Sequence, residues 1–382
     1  MKKLLWVGDA ACPSGFARAT HEILDVARHS FDVTVLGINY RGDPHPHPYP
    51  IYAAAVGGDM FGYGRLIWMC DLVKPDVIVL QNDPWNIPFY LRTLAKFPEY
   101  ADVPVVAIVA VDGKNCAGAD LNGLNLAVFW TQFGCNESIA GGYKGPCNVI
   151  PLGVDTDDYF KEDKQEARIA KGLGSIQDAF IVGNVNRNQP RKRLDLTIKY
   201  FAEWIRNNNI RDAYLFLHVA PTGDTGVQIK DLAKYYGIID RLALVSPDVF
   251  YGVPEEAMRE TYNCFDVQVT TTQGEGFGLT TFEGMACGVP QIVPAWSALQ
   301  ELTEGCAYQV PCSSTAIGPP YLNIIGGVVD EVGFVSALNK FYRDEPLRRH
   351  FADLGMKRAH EDRFNWKHIG YKYTEAFKAV TT

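Results

Sequence analysis

The chain has 382 residues, more than the roughly 250–300 that one hydrophobic core supports, so two domains are expected. Hydrophobic residues make up 47% of the chain and charged residues 21%, which excludes a disordered protein. The net charge of −8 argues against non-specific binding of nucleic acid.

Short apolar runs alternate with helical patterns through the first half of the chain. The predicted strands are Lys3–Val7, Phe31–Ile38, Asp76–Leu80, Val103–Val109, Leu126–Thr131 and Asn148–Ile150. The predicted helices are Gly15–His29 and Arg65–Val73. Continuously apolar strands that alternate with helices indicate a parallel sheet covered on both faces.

The second half repeats this alternation after a connection near Pro151–Lys161. Its predicted strands are Phe180–Val185, Tyr214–Val219, Arg241–Val245, Val267–Thr270 and Gln291–Val293. Its predicted helices are Leu194–Asn207, Gln228–Tyr236, Thr280–Ala286 and, beyond the last strand, Trp366–Val380. Two doubly wound α/β domains are therefore predicted. Ligands bind outside the carboxyl ends of parallel strands, so two such domains facing each other would enclose a cleft.

Signals for secretion, membrane insertion or metal binding are weak. The first apolar run, Leu4–Val7, is shorter than the roughly 7–15 residues of a signal peptide, and no stretch approaches the roughly 20 of a membrane span. The nine cysteines form no group at zinc spacing, so a reducing, cytoplasmic setting without a bound metal is expected. The prolines that alternate with His45 and His47 are expected to keep these two side chains apart.

A glycine-rich segment after the strand at Val267 is the strongest candidate for a binding site. Its glycines at 274, 276 and 278 let a ligand approach the backbone, and the helix that follows offers unpaired N–H groups to an anion. Glu275 lies in the predicted loop and Glu283 in the first turns of the helix, and each carboxylate could bind sugar hydroxyls. An acid favoured by the helix dipole beside a turn glycine is the alternative interpretation.

A second candidate site is a cluster of four cations between a predicted strand and a predicted helix. Arg187, Arg191, Lys192 and Arg193 fall within seven residues. Arginine binds phosphate oxygens in pairs and lysine acts as a point charge. At the end of a strand in an acidic protein, this cluster favours an anion site over a solvated charged surface.

These segments resemble the retaining glycosyltransferases of family four. Glu275 and Glu283, with the tail through Pro290, match that family's glutamate-x7-glutamate pattern. Arg187 and Lys192, five residues apart, resemble the family's pair on the donor diphosphate.

The resemblance extends along nearly the whole chain. Val149–Thr156 looks like the family's interdomain segment, with Leu152 in place of an asparagine, and Lys74–Ile78 is similar to one of its strands. Ser14–Arg18 stands where the family has its N-terminal glycine-rich loop. The implied fold is GT-B, an α/β architecture of two doubly wound Rossmann-like domains facing across a cleft.

The resemblance implies transfer of a sugar from a nucleoside diphosphate sugar to an acceptor, with retained anomeric configuration and no required metal or other cofactor. Two cations would stabilise the leaving diphosphate, and Asp112 stands where the family often has a histidine. A turn aspartate before Gly113 is the alternative interpretation of Asp112. The implied catalytic residues are Arg187, Lys192, Glu275 and Asp112. The implied donor-binding residues are Ser14, Gly15, Phe16, Gly276, Phe277, Gly278, Leu279, Thr280 and, on the ribose hydroxyls, Glu283.

The implied domains are an acceptor domain at 1–158 and a nucleotide-sugar donor domain at 159–361, with a helix at 362–382 packing back on the first. A UDP-sugar is favoured over a GDP-sugar. The acceptor stays open between a protein, a small glycoside, a lipid-linked sugar and a modified nucleic-acid base, and the oligomeric state is not predicted.

Two other functions fit the same segments. A nucleotide-sugar epimerase or a sugar phosphorylase would have the same fold. The first would turn over the donor without an added acceptor, and the second would depend on free phosphate. A non-catalytic nucleotide-sugar binding module would bind the donor without turnover, and the missing histidine motivates that alternative.

Overall fold

The computed structural model describes residues 1–219, 225–245, 252–318 and 322–381. The chain divides into two compact units. Unit 1 comprises Met1–Val111, Asn115–Gly153 and Asp362–Thr382, and unit 2 comprises Asp112–Lys114 and Val154–Glu361. Each unit is built around its own parallel sheet, so the predicted α/β class with two Rossmann-like sheets is confirmed. None of the helices in the described ranges is both long and apolar enough to cross a membrane.

Unit 1 holds a seven-stranded parallel sheet with helices between its strands. The strands are β1 (Lys2–Asp9), β2 (Phe31–Ile38), β3 (Ile51–Ala53), β4 (Val77–Asn82), β5 (Val105–Val109), β6 (Leu126–Phe129) and β7 (Cys147–Val149). The helices are α1 (Gly15–Ala27), α2 (Arg65–Val73), α3 (Ile87–Leu94) and α4 (Gln132–Ala140). The strand order is β3-β2-β1-β4-β5-β6-β7. The neighbouring strands β4 and β5 are buried along their whole length, as apolar strands covered on both faces should be.

Side-chain caps set where two helices of unit 1 begin. The Ser14 hydroxyl accepts the Ala17 N–H at 3.0 Å and starts α1. The Thr131 hydroxyl accepts the Gly134 N–H at 3.0 Å and starts α4. The predicted strand through Thr131 therefore ends earlier, because the chain turns there to satisfy the first N–H groups of the helix.

Unit 2 holds a six-stranded parallel sheet and a separate hairpin. The sheet strands are β8 (Phe180–Val185), β9 (Ala213–His218), β10 (Leu242–Val245), β11 (Val267–Val269), β12 (Gln291–Pro294) and β13 (Tyr308–Val310), in the order β10-β9-β8-β11-β12-β13. The helices are α5 (Lys164–Ala170), α6 (Leu194–Asn207), α7 (Ile229–Tyr235), α8 (Glu255–Asn263), α9 (Leu279–Ala286), α10 (Ser297–Leu302), α11 (Glu331–Arg343) and α12 (Glu345–Ala359).

The hairpin of unit 2 pairs β14 (Cys312–Ile317) with β15 (Ile325–Val329) in antiparallel fashion. Lys114 and Ile325 exchange two backbone hydrogen bonds, of 2.9 and 3.0 Å. The three residues Asp112–Lys114 are thereby held against the hairpin, far in sequence from the rest of unit 2.

The last helix, α13 (Trp366–Val380), belongs to unit 1 and packs along α1. A Cβ added at Gly370 would lie 2.5 Å from Val26 Cγ2, so the two helices approach closely there. The Tyr373 hydroxyl donates to the Ile150 carbonyl at 3.0 Å, and the Phe377 ring meets Trp6 edge to face at 6.3 Å. Unit 1 is therefore completed by residues from both ends of the chain.

Candidate active site

The cationic segment of unit 2 forms the connection from β8 to α6. It folds into a short turn at Pro190–Lys192, after which Arg193 adopts a left-handed φ of 49° just before α6. The Arg193 guanidinium pairs with Asp195 at 2.8 Å, and the Arg187 side chain is exposed. The four cations of the segment therefore face different surroundings, and Arg191 and Lys192 lie in the turn itself.

The glycine-rich loop between β11 and α9 is fixed by backbone hydrogen bonds on several sides. The Gln273 N–H donates to the Arg191 carbonyl at 2.7 Å, and the Gln273 carbonyl accepts the Gly327 N–H at 2.8 Å. The Glu275 N–H donates to the Ser297 hydroxyl at 3.0 Å. A Cβ at Gly274 would lie only 1.7 Å from the Asp112 carbonyl oxygen, so only glycine fits this loop as it stands.

The two segments meet in a cluster of four charged side chains within unit 2. Lys192 Nζ lies 2.6 Å from Glu275 Oε1, and Arg191 Nη1 lies 3.1 Å from Glu275 Oε2. Arg191 also donates to the Gly274 carbonyl at 2.8 Å, and its Nε lies 3.4 Å from Asp112 Oδ2. The side chains of Lys192 and Glu275 are only 12% and 11% exposed, so water screens this pair weakly. One carboxylate thus binds two cations.

Burial and charge act in opposite directions on these groups. Burial alone would raise the pKa of Glu275, but Lys192 and Arg191 outweigh it and lower that pKa to about 2. Burial lowers the pKa of Lys192 to about 8, although Glu275 opposes the change. Burial raises the pKa of Asp112, and Arg191 opposes that rise. Near neutral pH the centre of the cluster is an ionised Glu275 beside a protonated Lys192.

The second glutamate of the pattern lies inside α9, whose residues from Thr281 to Ala286 are all buried. Glu283 is 6% exposed, and its Oε2 accepts the Tyr262 hydroxyl at 2.5 Å. The helix begins after Gly278, whose φ of 100° favours glycine. Glu275 and Glu283 therefore flank the start of α9, where N–H groups lack helical partners.

The remaining predicted residues of this loop divide between backbone and core. Phe277 is 2% exposed and its ring stacks on Phe282 at 4.7 Å, so its side chain belongs to the interior of unit 2. Gly276, Leu279 and Thr280 are partly exposed at the start of α9. These positions can offer backbone groups to a ligand, and the Phe277 ring cannot reach one.

Comparison with known proteins places this arrangement in a family. The sequence model of the family described as "Glycosyl transferases group 1" matches residues 165–357, just over half of the chain. The chain belongs to the glycosyl transferases group 1 family. The matched residues of this group 1 chain contain Arg187, Lys192, Glu275 and Glu283, and also the whole parallel sheet of unit 2.

Several curated relatives carry the name D-inositol 3-phosphate glycosyltransferase. One from Geodermatophilus obscurus is 29% identical over 238 residues, which is 61% of this chain and 47% of the relative. Another from Kribbella flavida is 25% identical over 341 residues, 84% of this chain and 72% of the relative. In matches such as the first, the group 1 chain spans about half the length of the curated relatives.

Solved structures resemble the group 1 chain over its full length. Sucrose-phosphate synthase from Thermosynechococcus elongatus has a TM-score of 0.77 at 16% identity, covering 100% of this chain and 99% of that one. HepE from Anabaena in complex with UDP-glucose has a TM-score of 0.75 at 17% identity, covering 99% and 100%. At such identities the likeness concerns the fold, which is that of GT-B glycosyltransferases.

Three predicted donor-binding residues, Ser14, Gly15 and Phe16, lie in unit 1, at the start of α1. The Ser14 hydroxyl, besides capping the helix, donates to Asp9 Oδ2 at 2.6 Å. The Phe16 ring packs against Trp130 at 5.4 Å. The structure gathers Arg191, Lys192, Glu275 and Asp112 within unit 2, whereas the Ser14 segment belongs to the other unit of the group 1 chain.

One expectation about histidines in unit 1 was wrong. The prolines do not keep His45 and His47 apart, because their rings lie 5.7 Å from each other at an angle of 26°. The His47 ring also stacks on His21 at 3.4 Å with an angle of 5°. The His21 ring also accepts the Ala11 N–H at 2.8 Å, and burial lowers its pKa to about 3. Across the described ranges, no group of three or more His, Cys, Asp or Glu side chains is placed to hold a metal ion.

Sequence reasoning did not assign roles to several residues of this site. Arg191 was visible only as part of the cationic run, and nothing in the sequence predicted its contacts with Asp112 and Glu275. Ser297 and Tyr262, which bind the Glu275 backbone and the Glu283 carboxylate, carry no signal of their own, since a serine near a helix start and a helical tyrosine are common.

Proposed function

We propose that the chain is a retaining glycosyltransferase that moves a sugar from a nucleoside diphosphate sugar to an acceptor. The observation that carries the proposal is the 2.6 Å contact between Lys192 and Glu275, which joins the cationic segment to the glutamate pattern. Both residues lie within the part of the chain that matches the family. The glycosyltransferase names of the curated relatives support the same activity.

The cations would act on the leaving group. When the bond between the sugar and the diphosphate breaks, negative charge grows on the diphosphate oxygens. Arg187 and Lys192 would stabilise that charge, and the first N–H groups of α9 would stabilise it further. In this proposal these groups stabilise the leaving diphosphate, and no metal ion is required.

The carboxylates would hold the donor. Glu275 is already oriented by two cations and by its N–H bond to Ser297, so it would present a fixed oxygen to the donor sugar. Glu283 would bind the ribose hydroxyls. Asp112, paired with Arg191, would position the reacting sugar in place of the family's histidine.

The two units would divide the substrates between them. Unit 2 would bind the nucleotide sugar, with UDP favoured over GDP, and unit 1 would bind the acceptor, with Ser14, Gly15 and Phe16 reaching the donor. Structural neighbours support a uridine donor, because one was solved with UDP-glucose. The acceptor class stays open.

The test measures binding and hydrolysis of the donor, so the acceptor need not be known. Purified protein is incubated with UDP-glucose or GDP-mannose, and the anomer first released by slow hydrolysis is identified by proton NMR. Retention predicts the α anomer first from these α-linked donors. Release of the β anomer first would overturn the retaining assignment, and no binding or turnover of either donor would overturn the transfer function.

The metal requirement is tested in the same assay with EDTA. We expect turnover to survive chelation and to fall on the order of 10²–10³-fold in Lys192→Ala. Turnover that is abolished by EDTA and restored by Mn²⁺ would contradict the metal-free mechanism.

A further inference from the structure

Two buried tyrosines of unit 2 each bind a different glutamate. Tyr262, at the end of α8, donates its hydroxyl to Glu283 Oε2 at 2.5 Å. Tyr159 packs edge to face on the Tyr262 ring at 5.8 Å, and its own hydroxyl donates to Glu255. The neighbouring rings have similar surroundings, but only one of them touches the glutamate pattern.

The surroundings of Tyr262 keep its hydroxyl a hydrogen-bond donor. The side chain has no exposed surface, and burial followed by the nearby Glu283 charge raises its pKa well above that of an exposed tyrosine. A protonated hydroxyl facing a carboxylate forms a charge-assisted hydrogen bond, which is stronger than a neutral one. The bond fixes one oxygen of Glu283 and with it the plane of the carboxylate.

The packing of the Tyr262 ring holds its hydroxyl in place. Its ring contacts Phe265 edge to face at 6.3 Å as well as Tyr159, so the hydroxyl cannot swing away from α9 without disturbing both rings. Glu283 lies one turn inside α9, on a backbone that is itself anchored in the core of unit 2. A site held within roughly 0.5 Å needs this kind of support from residues that do not touch the ligand.

We propose that Tyr262 is a positioning residue that orients the Glu283 carboxylate for recognition of the donor's ribose hydroxyls. The inference rests on the proposed function, in which Glu283 binds the ribose. Tyr262 acts through Glu283 and does not contact the donor. Its hydroxyl therefore contributes to the choice between nucleotides with and without ribose hydroxyls.

The test compares affinities for nucleotides that differ only in those hydroxyls. Calorimetry measures the Kd of UDP, GDP and their 2′,3′-dideoxy counterparts for wild type, Tyr262→Phe and Tyr159→Phe. In wild type we expect the ribonucleotide to bind at least about tenfold more tightly, the size of one hydrogen bond to a charged group. Tyr262→Phe should lose most of this preference, and Tyr159→Phe should keep it.

A merely structural role would give another pattern. If Tyr262 only stabilised the fold, its loss would lower the melting temperature and weaken the binding of both nucleotides equally. The ratio of their Kd values would then be unchanged. That result would overturn the inference. The ratio is internal to each variant, so a loss of stability does not disturb it, and Tyr262→Leu serves as a second variant without the hydroxyl.

Glu283→Gln separates this inference from the proposed function. If the preference for the ribonucleotide persists in Glu283→Gln, or if wild type shows no such preference, Glu283 does not bind the ribose and the inference fails with it. A preference that disappears in Glu283→Gln but survives in both Tyr262 variants would overturn the inference alone. In the double variant Tyr262→Phe with Glu283→Gln, we expect no further loss beyond Glu283→Gln.

Discussion

At the scale of single residues, the site is defined by cations that pair with a carboxylate of the protein itself. Lys192 and Arg191 both contact Glu275, so a diphosphate entering the site would share these cations with a carboxylate. The side chains of Lys192 and Glu275 are largely sequestered from water, where an unpaired charge would be costly, and Arg191, which is 34% exposed, adds a second compensating cation.

Removal of either proposed phosphate cation should weaken nucleotide binding and slow transfer. We expect Lys192→Ala and Arg187→Ala each to lower the turnover rate on the order of 10²–10³-fold, as loss of one charge-stabilising donor does. Calorimetry with UDP and GDP and donor turnover are the measurements. Lys199→Ala is the control, because Lys199 pairs with Glu331 on another part of unit 2. Unchanged affinity in both test variants would refute the diphosphate role.

The pKa of Lys192 predicts how binding depends on pH. Because burial lowers that pKa to about 8, the ammonium group loses its proton as the pH rises from 7 to 9.5. Affinity for a nucleoside diphosphate should therefore fall above pH 8, by up to about tenfold per pH unit for one proton. Glu275, with a pKa of about 2, stays ionised throughout.

Lys192→Arg is the matched variant for this pH profile, since an arginine keeps its charge over the whole range. Its affinity for UDP or GDP should be nearly constant from pH 7 to 9.5, whatever its absolute value. The same fall in wild type and Lys192→Arg would show that another group titrates.

Part of the site could be predicted from the sequence at this scale. Lys192 and Glu275 were predicted as site residues because their spacings from Arg187 and Glu283 match motifs of the family that the chain resembles. The contact between Arg191 and Asp112 was not, because it joins residues that are far apart in the chain and depends on where Asp112–Lys114 is held. Contacts of this kind follow from tertiary packing, which no local pattern encodes.

At the scale of elements, the glycine-rich loop is confined by neighbours on several sides. Gly274→Ala should push the loop away from Asp112, since the added Cβ would overlap the Asp112 carbonyl oxygen. We expect a loss of about 1–3 kcal/mol in the free energy of unfolding, typical of overpacking, together with weaker nucleotide binding. Gly174→Ala is the control, because nothing lies within 4 Å of a Cβ there. Denaturant unfolding and calorimetry measure both effects, and equal behaviour of the two variants would contradict the confinement.

The elements themselves were predicted where the sequence pattern is strong. The apolar run of β4 identified a parallel strand whose ends are shifted by one or two residues, and β8 was predicted with the bounds that the structure shows. The antiparallel hairpin was missed, because β14 is rich in serine and threonine and lacks an apolar run. α3 was not predicted either, although Pro88 stands in its first turn, where proline is favoured.

At the scale of the whole molecule, unit 1 depends on a helix that is remote in sequence. Gly370→Leu should force α13 away from Val26 on α1 and destabilise unit 1. Hydrogen exchange should then be faster in α1 and β1, while β8 and β11 of unit 2 keep their protection. Lys372→Leu, on the exposed side of the same helix, should change neither. Equal protection of α1 in all three proteins would show that α13 does not stabilise this unit.

The discontinuity of unit 1 also sets the order in which the chain can mature during synthesis. β1 and α1 leave the ribosome before α13, which packs on α1 and follows after more than 300 further residues. At about 5–20 residues per second, the apolar side of α1 waits roughly 15–60 s for its partner. Over the same interval nearly all of unit 2 has emerged and can fold. The residues of α1 are thus made long before their partner helix can bury them, and this interval is when a newly made chain is most exposed to aggregation or to capture by a chaperone.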